Sequence, residues 1–317
     1  GVVDGVGGPG AAYIGAGLCE ADGASSPVLA LTGDNERSIR GREVIQDADN
    51  EAILEPYTRR TFDPESADRA IEAVGNALSQ MTTGVPGPTH VNLAGDILED
   101  SLDVAVPDCN GSYPSSRPEP ASSEIEETAD LLAAADRPVI LAGEGVVRAD
   151  AAPDLAALAA ETQTPVVTSI NGKGAVAEDE PYALGTAGRW GFCETANDAL
   201  ETADLVIGLG TRFSDLTTVG WSLIDDDADI VHVDLDERWL GANYEPTVAI
   251  YADLRATIRA LAAATEEGDG AGTERIEELA ARRAEWRDSH AEALASDATP
   301  IKPQRVVGEL DRLIPSD

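Results

Sequence analysis

The sequence predicts an α/β chain built on doubly wound parallel sheets. Three observations carry that reading. Short apolar runs such as Pro138–Ala142 and Leu205–Leu209 read as strands buried on both faces. Segments with helical apolar spacing stand between such runs, which is the pattern of strand–helix–strand units. The length, 317 residues, suits two domains at about 150 residues each.

Residues 1–105 form the first expected domain. The chain opens on a Gly-rich loop, with a helix following Gly8-Pro9-Gly10-Ala11. Pro27–Gly33 reads as a short buried strand ending in glycine. Ala67–Met81 is a helix, with Ala70, Ile71, Val74, Ala77, Leu78 and Met81 on one face. Gly87–Leu93 is a second strand behind a Gly/Pro turn. Residues 106–120 hold prolines, Ser, Asn and Gly without periodicity, and read as a linker.

Residues 121–266 form the second expected domain. Helix Ser123–Ala135 leads to strand Pro138–Ala142, a Gly143-Glu144-Gly145 turn and helix Ala152–Glu161. Strand Pro165–Ser169 is followed by a loop holding Gly172-Lys173-Gly174. Helix Cys193–Glu201, strand Asp204–Gly208 and strand Ile230–Asp234 complete it. Residues 274–317 carry a charged helix, Thr273–Ala295, with Ile276, Leu279 and Trp286 as its apolar contacts. Helix Gln304–Leu313 begins another unit.

Composition narrows the partners. Asp and Glu number 59 against 22 Lys and Arg, a formal net charge of −37. Such a chain repels nucleic acid and anionic lipid, so neither is expected as a partner. The only lysines are Lys173 and Lys302, and such an acidic, lysine-poor surface resembles cytosolic proteins of extreme halophiles, the alternative being an ordinary acidic protein. No apolar run reaches membrane length and no signal peptide is evident. Cys19, Cys109 and Cys193 have no metal or disulfide spacing, which fits a reducing cytoplasm.

In doubly wound sheets, ligands sit beyond the carboxyl ends of the strands. Gly143-Glu144-Gly145 ends one strand there. It reads either as an anion cradle at a helix N-terminus or as a tight turn. Gly210-Thr211-Arg212 ends another strand, where Arg212 would pair with a phosphate or with one of the many carboxylates. Asp234 and Asp236 end a third, as ribose acceptors or as solvated loop carboxylates. His90 and His232 fall inside strands and read as hydrogen-bonded core residues. No serine elbow and no Cys/His metal spacing is present. Chemistry must therefore come from a cofactor or from residues outside this segment.

The order of segments resembles the thiamine-diphosphate-dependent enzymes of the acetolactate synthase superfamily. The matching pieces are Gly8-Pro9-Gly10-Ala11, Pro27–Gly33, Gln46-Asp47, Pro56-Tyr57-Thr58-Arg59 and Thr83–Pro88. They continue with Arg137–Gly143, Pro165–Thr168, Gly172–Ala175, Glu178–Pro181, Gly208–Phe213, His232–Asp236 and Ile301–Gln304. The resemblance implies that residues 1–105 are the later part of a pyrimidine-binding domain and 121–266 a central domain. Residues 274–317 would then be a connecting helix and the start of a diphosphate-binding domain. It implies thiamine diphosphate with Mg2+, Gly8, Pro9, Gly10 and Gln46 at the aminopyrimidine, a 2-keto acid substrate, and a homodimer or homotetramer. The family's activating glutamate is expected upstream of Gly1 and its metal–diphosphate motif downstream of Asp317. No catalytic residue is therefore assigned within the chain, and the segment alone is expected to be inactive.

In the central domain the resemblance places an ADP or FAD moiety at Gly143, Gly210, Thr211, Arg212 and Asp234. Glu55 and Leu216 stand where the family carries flavin-contacting arginines, which implies an ADP-like group held better than FAD. Asp215-Leu216-Thr217-Thr218 followed by Trp221 resembles instead the trihydroxycyclohexanedione hydrolases, which cleave a carbon–carbon bond. A keto-acid carboligase, a cyclic diketone hydrolase and a non-catalytic nucleotide-binding module thus stand as alternatives.

Overall fold

The computed structural model describes residues 1–103, 117–190, 193–265 and 270–314. The chain divides into two units, Gly1–Arg117 and Pro118–Asp317. Most of the expected linker, residues 106–116, and Cys109 with it, lies outside the described residues.

The first unit runs β1 (Val2–Gly5), α1 (Pro9–Gly23), β2 (Leu29–Asp34), α2 (Asn50–Leu54), β3 (Thr61–Phe62), α3 (Ala67–Thr82), β4 (Thr89–Ala94) and α4 (Gly95–Leu98). All strands are parallel, in the order β1-β2-β4-β3. The chain therefore opens on a strand, not on the expected loop: Val2 pairs with Leu29, and the glycines follow. Four residues ending in glycine are too short a run to show a period. Alternate strand residues face opposite layers. Ala30 packs with Ala11, Leu18 and Leu54 on the α1–α2 side. Leu29 and Val91 pack with Ala73 and Ala77 on the α3 side.

The second unit runs α5 (Ser122–Ala134), β5 (Pro138–Ala142), α6 (Glu144–Arg148), α7 (Ala152–Thr162), β6 (Val166–Thr168), β7 (Ala183–Thr186), α8 (Glu194–Glu201), β8 (Leu205–Leu209), β9 (Asp229–Asp234), β10 (Val248–Tyr251), α9 (Leu254–Ala264), α10 (Gly270–Ser289), α11 (Ala291–Leu294) and α12 (Pro303–Leu313). The sheet order is β10-β9-β8-β5-β6-β7 and every pairing is parallel. Both sheets thus give the α/β fold expected. Strand β5 has Val139 and Leu141 in one core and Ile140 and Ala142 in the other, all fully buried. That is why it reads as an unbroken apolar run.

The helix ends have local causes. Glu124 reaches back to the Ala121 N–H at 2.9 Å at the start of α5. Asp253 accepts the Ala256 N–H at the start of α9. Gln163 closes α7 in a left-handed conformation. The expected charged helix Thr273–Ala295 is broken: α10 stops at Ser289 and α11 starts at Ala291. Ile276 and Leu279 are buried, and Trp286 packs against the core.

Candidate functional site

The order of the six-stranded sheet reverses between β5 and β8: from β5 the chain proceeds to β6 and β7 on one side and to β8, β9 and β10 on the other. A doubly wound sheet opens its ligand crevice at such a switch point. Gly143 and Gly210 end the two strands that flank it.

Their glycines serve close backbone packing. A Cβ on Gly143 would lie 2.1 Å from the Gly210 carbonyl oxygen, and one on Gly145 would lie 2.7 Å from the Gly210 Cα. Gly172 closes the joint from β6, where a Cβ would meet the Ala142 carbonyl oxygen at 2.3 Å. The expected anion cradle is not what these N–H groups form. Gly143 donates to Leu209 O at 2.9 Å, Gly145 to Gly210 O at 3.1 Å, and Gly210 to Val233 O at 2.9 Å. The tight-turn reading of Gly143-Glu144-Gly145 describes the local structure, and α6 behind it has only five residues.

The polar chemistry of this crevice rests on side chains. Arg212 lies over the Trp239 ring, 5.2 Å from its centroid. The Arg212 carbonyl accepts the Asn243 side-chain amide at 2.8 Å. Burial raises the Asp234 carboxyl to about 6, against the pull of the Asp236 N–H it accepts and of the Arg212 charge. Asp236 is instead paired by Arg238, at 2.8 Å. His232 is a buried structural residue, as expected. Its Nε2 donates to Thr211 O at 2.8 Å and its Nδ1 accepts the Gly241 N–H at 3.1 Å. Both ring nitrogens are used by the neutral tautomer, and burial holds the imidazole at about 4. These bonds tie the loop after β9 to the end of β8. The sequence does not point to Trp239 or Asn243, because neither lies in a run with a period.

In the first unit the structure brings Gly8 and Gln46 together. Gly8 is left-handed at φ 62, and a Cβ there would sit 2.6 Å from the Gln46 carbonyl oxygen. Pro9 opens α1, where its missing N–H costs no helix bond. Gln46 is itself left-handed, at φ 59, and exposed. An aminopyrimidine needs a donor and an acceptor along one edge. A Gln amide can offer both, and Gly8 keeps a Cβ out of the contact with the Gln46 backbone, so the chemistry of these residues fits the pyrimidine end of thiamine diphosphate.

Beneath the loop lies a polar knot that sequence reasoning misses. Asn50, Asn92, Thr32 and His90 are all at most 2% exposed. Asn50 Oδ1 accepts the Gly8 N–H at 2.8 Å, and its Nδ2 donates to Gly33 O at 3.2 Å and to Asn92 Oδ1 at 3.1 Å. Thr32 donates to Asn92 at 2.9 Å and accepts His90 Nε2–H at 2.7 Å. Asn92 Nδ2 donates to Asp34 at 3.0 Å and to Asp63 at 3.2 Å, and Arg40 bridges those two carboxylates. Asn92 inside an apolar strand is the one signal the sequence offers. Among the described residues, no group of three or more His, Cys, Asp or Glu could hold a metal, so the residues seen here do not fit Mg2+.

Residues 125–261 match the family described as thiamine pyrophosphate enzyme, central domain. Over 313 residues the chain is 34% identical to a probable acetolactate synthase large subunit of Methanocaldococcus jannaschii, covering 96% of this chain and 51% of that protein. It is 34% identical over 259 residues to an acetolactate synthase of Mycobacterium bovis, covering 81% of this chain and 41% of that one. It is 30% identical over 323 residues to a glyoxylate carboligase of Escherichia coli O157:H7, covering 100% of this chain and 54% of that one. The chain thus spans about half the length of the relatives it matches. With its parallel sheets, its glycine joint at the switch point and this similarity along its length, the chain belongs to the thiamine-diphosphate-dependent enzymes of the acetolactate synthase superfamily.

Proposed function

We propose that the gene product carrying this chain is a thiamine-diphosphate-dependent 2-keto acid decarboxylating carboligase of the acetolactate synthase type. The observation that carries the reading is the meeting of the Gly8–Pro9–Gly10 loop and Gln46 beyond the carboxyl ends of β1 and β2, within a chain similar along its length to acetolactate synthases. When bound, thiamine diphosphate supplies the carbon nucleophile of such reactions. The residues of this chain would orient its aminopyrimidine: Gln46 through its amide, and Gly8, Pro9 and Gly10 by close backbone approach. Residues 1–105 would be the later part of the pyrimidine-binding domain, 121–266 the central domain, and 274–317 the link to a diphosphate-binding domain. Mg2+ would be held by residues outside those described.

In the second unit, Thr211, Arg212 and Asp234 beside the Gly143–Gly210 joint would take an ADP-like group. Arg212 would face phosphate and Asp234 the ribose hydroxyls. Glu55 and Leu216 bring no cation for a flavin. The protein would be a cytoplasmic homodimer or homotetramer adapted to high salt. Among the described residues, no helix is long and apolar enough to cross a membrane.

The cyclic diketone hydrolase stands as the second reading on the resemblance of Asp215-Leu216-Thr217-Thr218 and Trp221 alone. Trp221 donates its indole N–H to Phe213 O at 3.1 Å, and Val219, Gly220 and Trp221 all adopt positive φ, so the segment after Asp215-Leu216-Thr217-Thr218 is a specific, strained turn. The test is the substrate profile of the full gene product with thiamine diphosphate and Mg2+ in molar salt. Carbon dioxide release from pyruvate with formation of a 2-hydroxy-3-oxo acid is expected. Ring opening of a cyclic diketone without decarboxylation would establish the second reading. Turnover of neither class would leave a nucleotide-binding module.

A further inference from the structure

We propose that Asn50 is the positioning residue that sets the Gly8–Pro9–Gly10 loop for the cofactor, acting through the Gly8 N–H. The inference rests on the assignment of that loop to the aminopyrimidine.

A carboxamide offers two donors and one carbonyl acceptor. In Asn50, 2% exposed, all three functions are used on three different segments. Oδ1 takes the Gly8 N–H, and Nδ2 takes the carbonyl of Gly33 at the end of β2 and Oδ1 of Asn92 on β4. One side chain thus ties the loop before α1 to the carboxyl ends of two strands. The contact is also steric. A Cβ on Gly7 would lie 2.6 Å from the Gly33 carbonyl oxygen and 3.2 Å from Asn50 Nδ2, so the loop is seated against the amide itself.

The knot fixes the orientation of the amide. Asn92 Oδ1 accepts from Thr32, and Asn92 Nδ2 donates to the Asp34 and Asp63 carboxylates. Asn92 therefore presents an acceptor to Asn50, and Asn50 must present its Nδ2 to Asn92 and its Oδ1 to Gly8. Were the Asn50 amide reversed, Nδ2 would face the Gly8 N–H and Oδ1 the Asn92 oxygen, which breaks these bonds at once. Gly8 is held at positive φ with Gln46 O packed on its Cα. The Gly8 bond therefore sets the spacing between the two residues assigned to the pyrimidine.

The test uses the full gene product in molar salt. Amide hydrogen exchange at Gly8 and thiamine diphosphate affinity are measured for the wild type, Asn50→Ala and Thr32→Val. Thr32→Val cuts the same knot at its far end without touching the Gly8 bond. Asn50→Ser, with a hydroxyl too short to reach all three partners, replaces the alanine variant if that does not fold. In Asn50→Ala, Gly8 exchange is expected to speed up about tenfold or more beyond the neighbouring α1 amides. Cofactor affinity should fall about tenfold, with kcat at saturating cofactor within about twofold of wild type. Thr32→Val should leave the ratio of Gly8 to α1 exchange unchanged. Gly8 exchange that moves only in step with α1 in a folded Asn50 variant would overturn the proposal. So would faster Gly8 exchange with unchanged cofactor affinity. A wild type that binds no thiamine diphosphate would overturn the cofactor reading first, whatever Gly8 does.

Discussion

Arg212 and Asp234 sit at the same crevice with opposite demands on their surroundings. The Arg212 guanidinium lies over the Trp239 ring, 5.2 Å from its centroid, a contact that restricts where its charge can sit. Arg212→Ala is expected to weaken ADP binding by roughly 1.5–3 kcal/mol, the range of a charge-assisted hydrogen bond. Calorimetry with ADP and with FAD in high salt measures it. Equal ADP affinity in the variant would remove Arg212 from the site, and tight FAD binding would show that Glu55 and Leu216 do not matter. Asp234 is costly where it stands. Burial raises it to about 6, so at neutral pH the fold holds a carboxylate it would rather protonate. Between pH 6 and 4 the folded chain binds that proton before the unfolded chain does, and acidification adds stability. His232, held at about 4, does the reverse: from pH 6.5 down to 4 the unfolded chain is protonated first and stability is lost. At about 1.4 kcal/mol per pH unit, each effect is on the order of 3 kcal/mol, and the two act in opposite directions. Trp190, Trp221, Trp239 and Trp286 all lie in the second unit, so tryptophan fluorescence follows its unfolding alone. Asp234→Asn should be more stable than wild type by about 2–3 kcal/mol at pH 7 and should lose about 3 kcal/mol more than wild type between pH 6.5 and 4. A variant with the wild-type pH dependence would show that burial does not raise Asp234. A destabilising carboxylate kept at a strand end is consistent with the ligand role proposed for Asp234.

The elements differ in how openly their residues declare them. Strands β5 and β8 are continuous β-branched and leucine runs buried on both faces, and their sequence periods match their places in the sheet. Strands β7 and β10 do not declare themselves. Each has four residues, one with an internal glycine and one alternating with exposed positions, and both lie at sheet edges where only one neighbour selects for apolar side chains. At the site, the glycines are legible because a strand-to-helix turn drops its side chains chiefly where another backbone must come close. Asn50 and Asn92 are not, because their role comes from partners 42 residues apart that meet only after β2, β4 and the α1 loop pack. Two glycines of the second unit put close approach and backbone conformation to separate tests. At Gly143 an alanine Cβ would be driven to 2.1 Å from a carbonyl oxygen on the β8 side, whereas Gly174, at φ +95, has nothing within 4 Å of its missing Cβ. Gly174→Ala should cost about 1–2 kcal/mol for the left-handed conformation alone. Gly143→Ala should cost more than about 3 kcal/mol, because strand ends on both sides of the switch point must separate. Urea unfolding followed by tryptophan fluorescence ranks the two. Equal costs would mean that the β5–β8 joint yields easily and does not define the crevice.

The whole molecule carries a formal net charge of −37, with 59 acidic residues spread over both units. Salt acts on this charge in two opposing ways. It weakens ion pairs such as Arg69–Glu72 and Arg312–Glu309, which are mostly exposed. Pairs of that kind are worth about 0–1 kcal/mol each, so little is lost. Salt also screens the repulsion among the unpaired carboxylates, and this concerns far more charges, since acids outnumber bases by 37 (59 − 22). The screening length falls from about 10 Å at 0.1 M to about 3 Å at 1 M, so repulsion between carboxylates not in direct contact is largely removed. Relief of repulsion should therefore win. Tm is expected to climb by on the order of 10 °C between 0.1 M and molar KCl, corresponding to about 3–4 kcal/mol for units of this size. Sucrose at equal osmolality is the control, because it favours burial without screening charge. A climb in KCl well above that in sucrose confirms a fold stabilised by screening its own charge. A flat Tm in KCl would mean that repulsion among the unpaired carboxylates does not limit the stability of the fold. An equal climb in both would assign the effect to solvent exclusion, and the acidic surface would then say nothing about the salt in which the protein works.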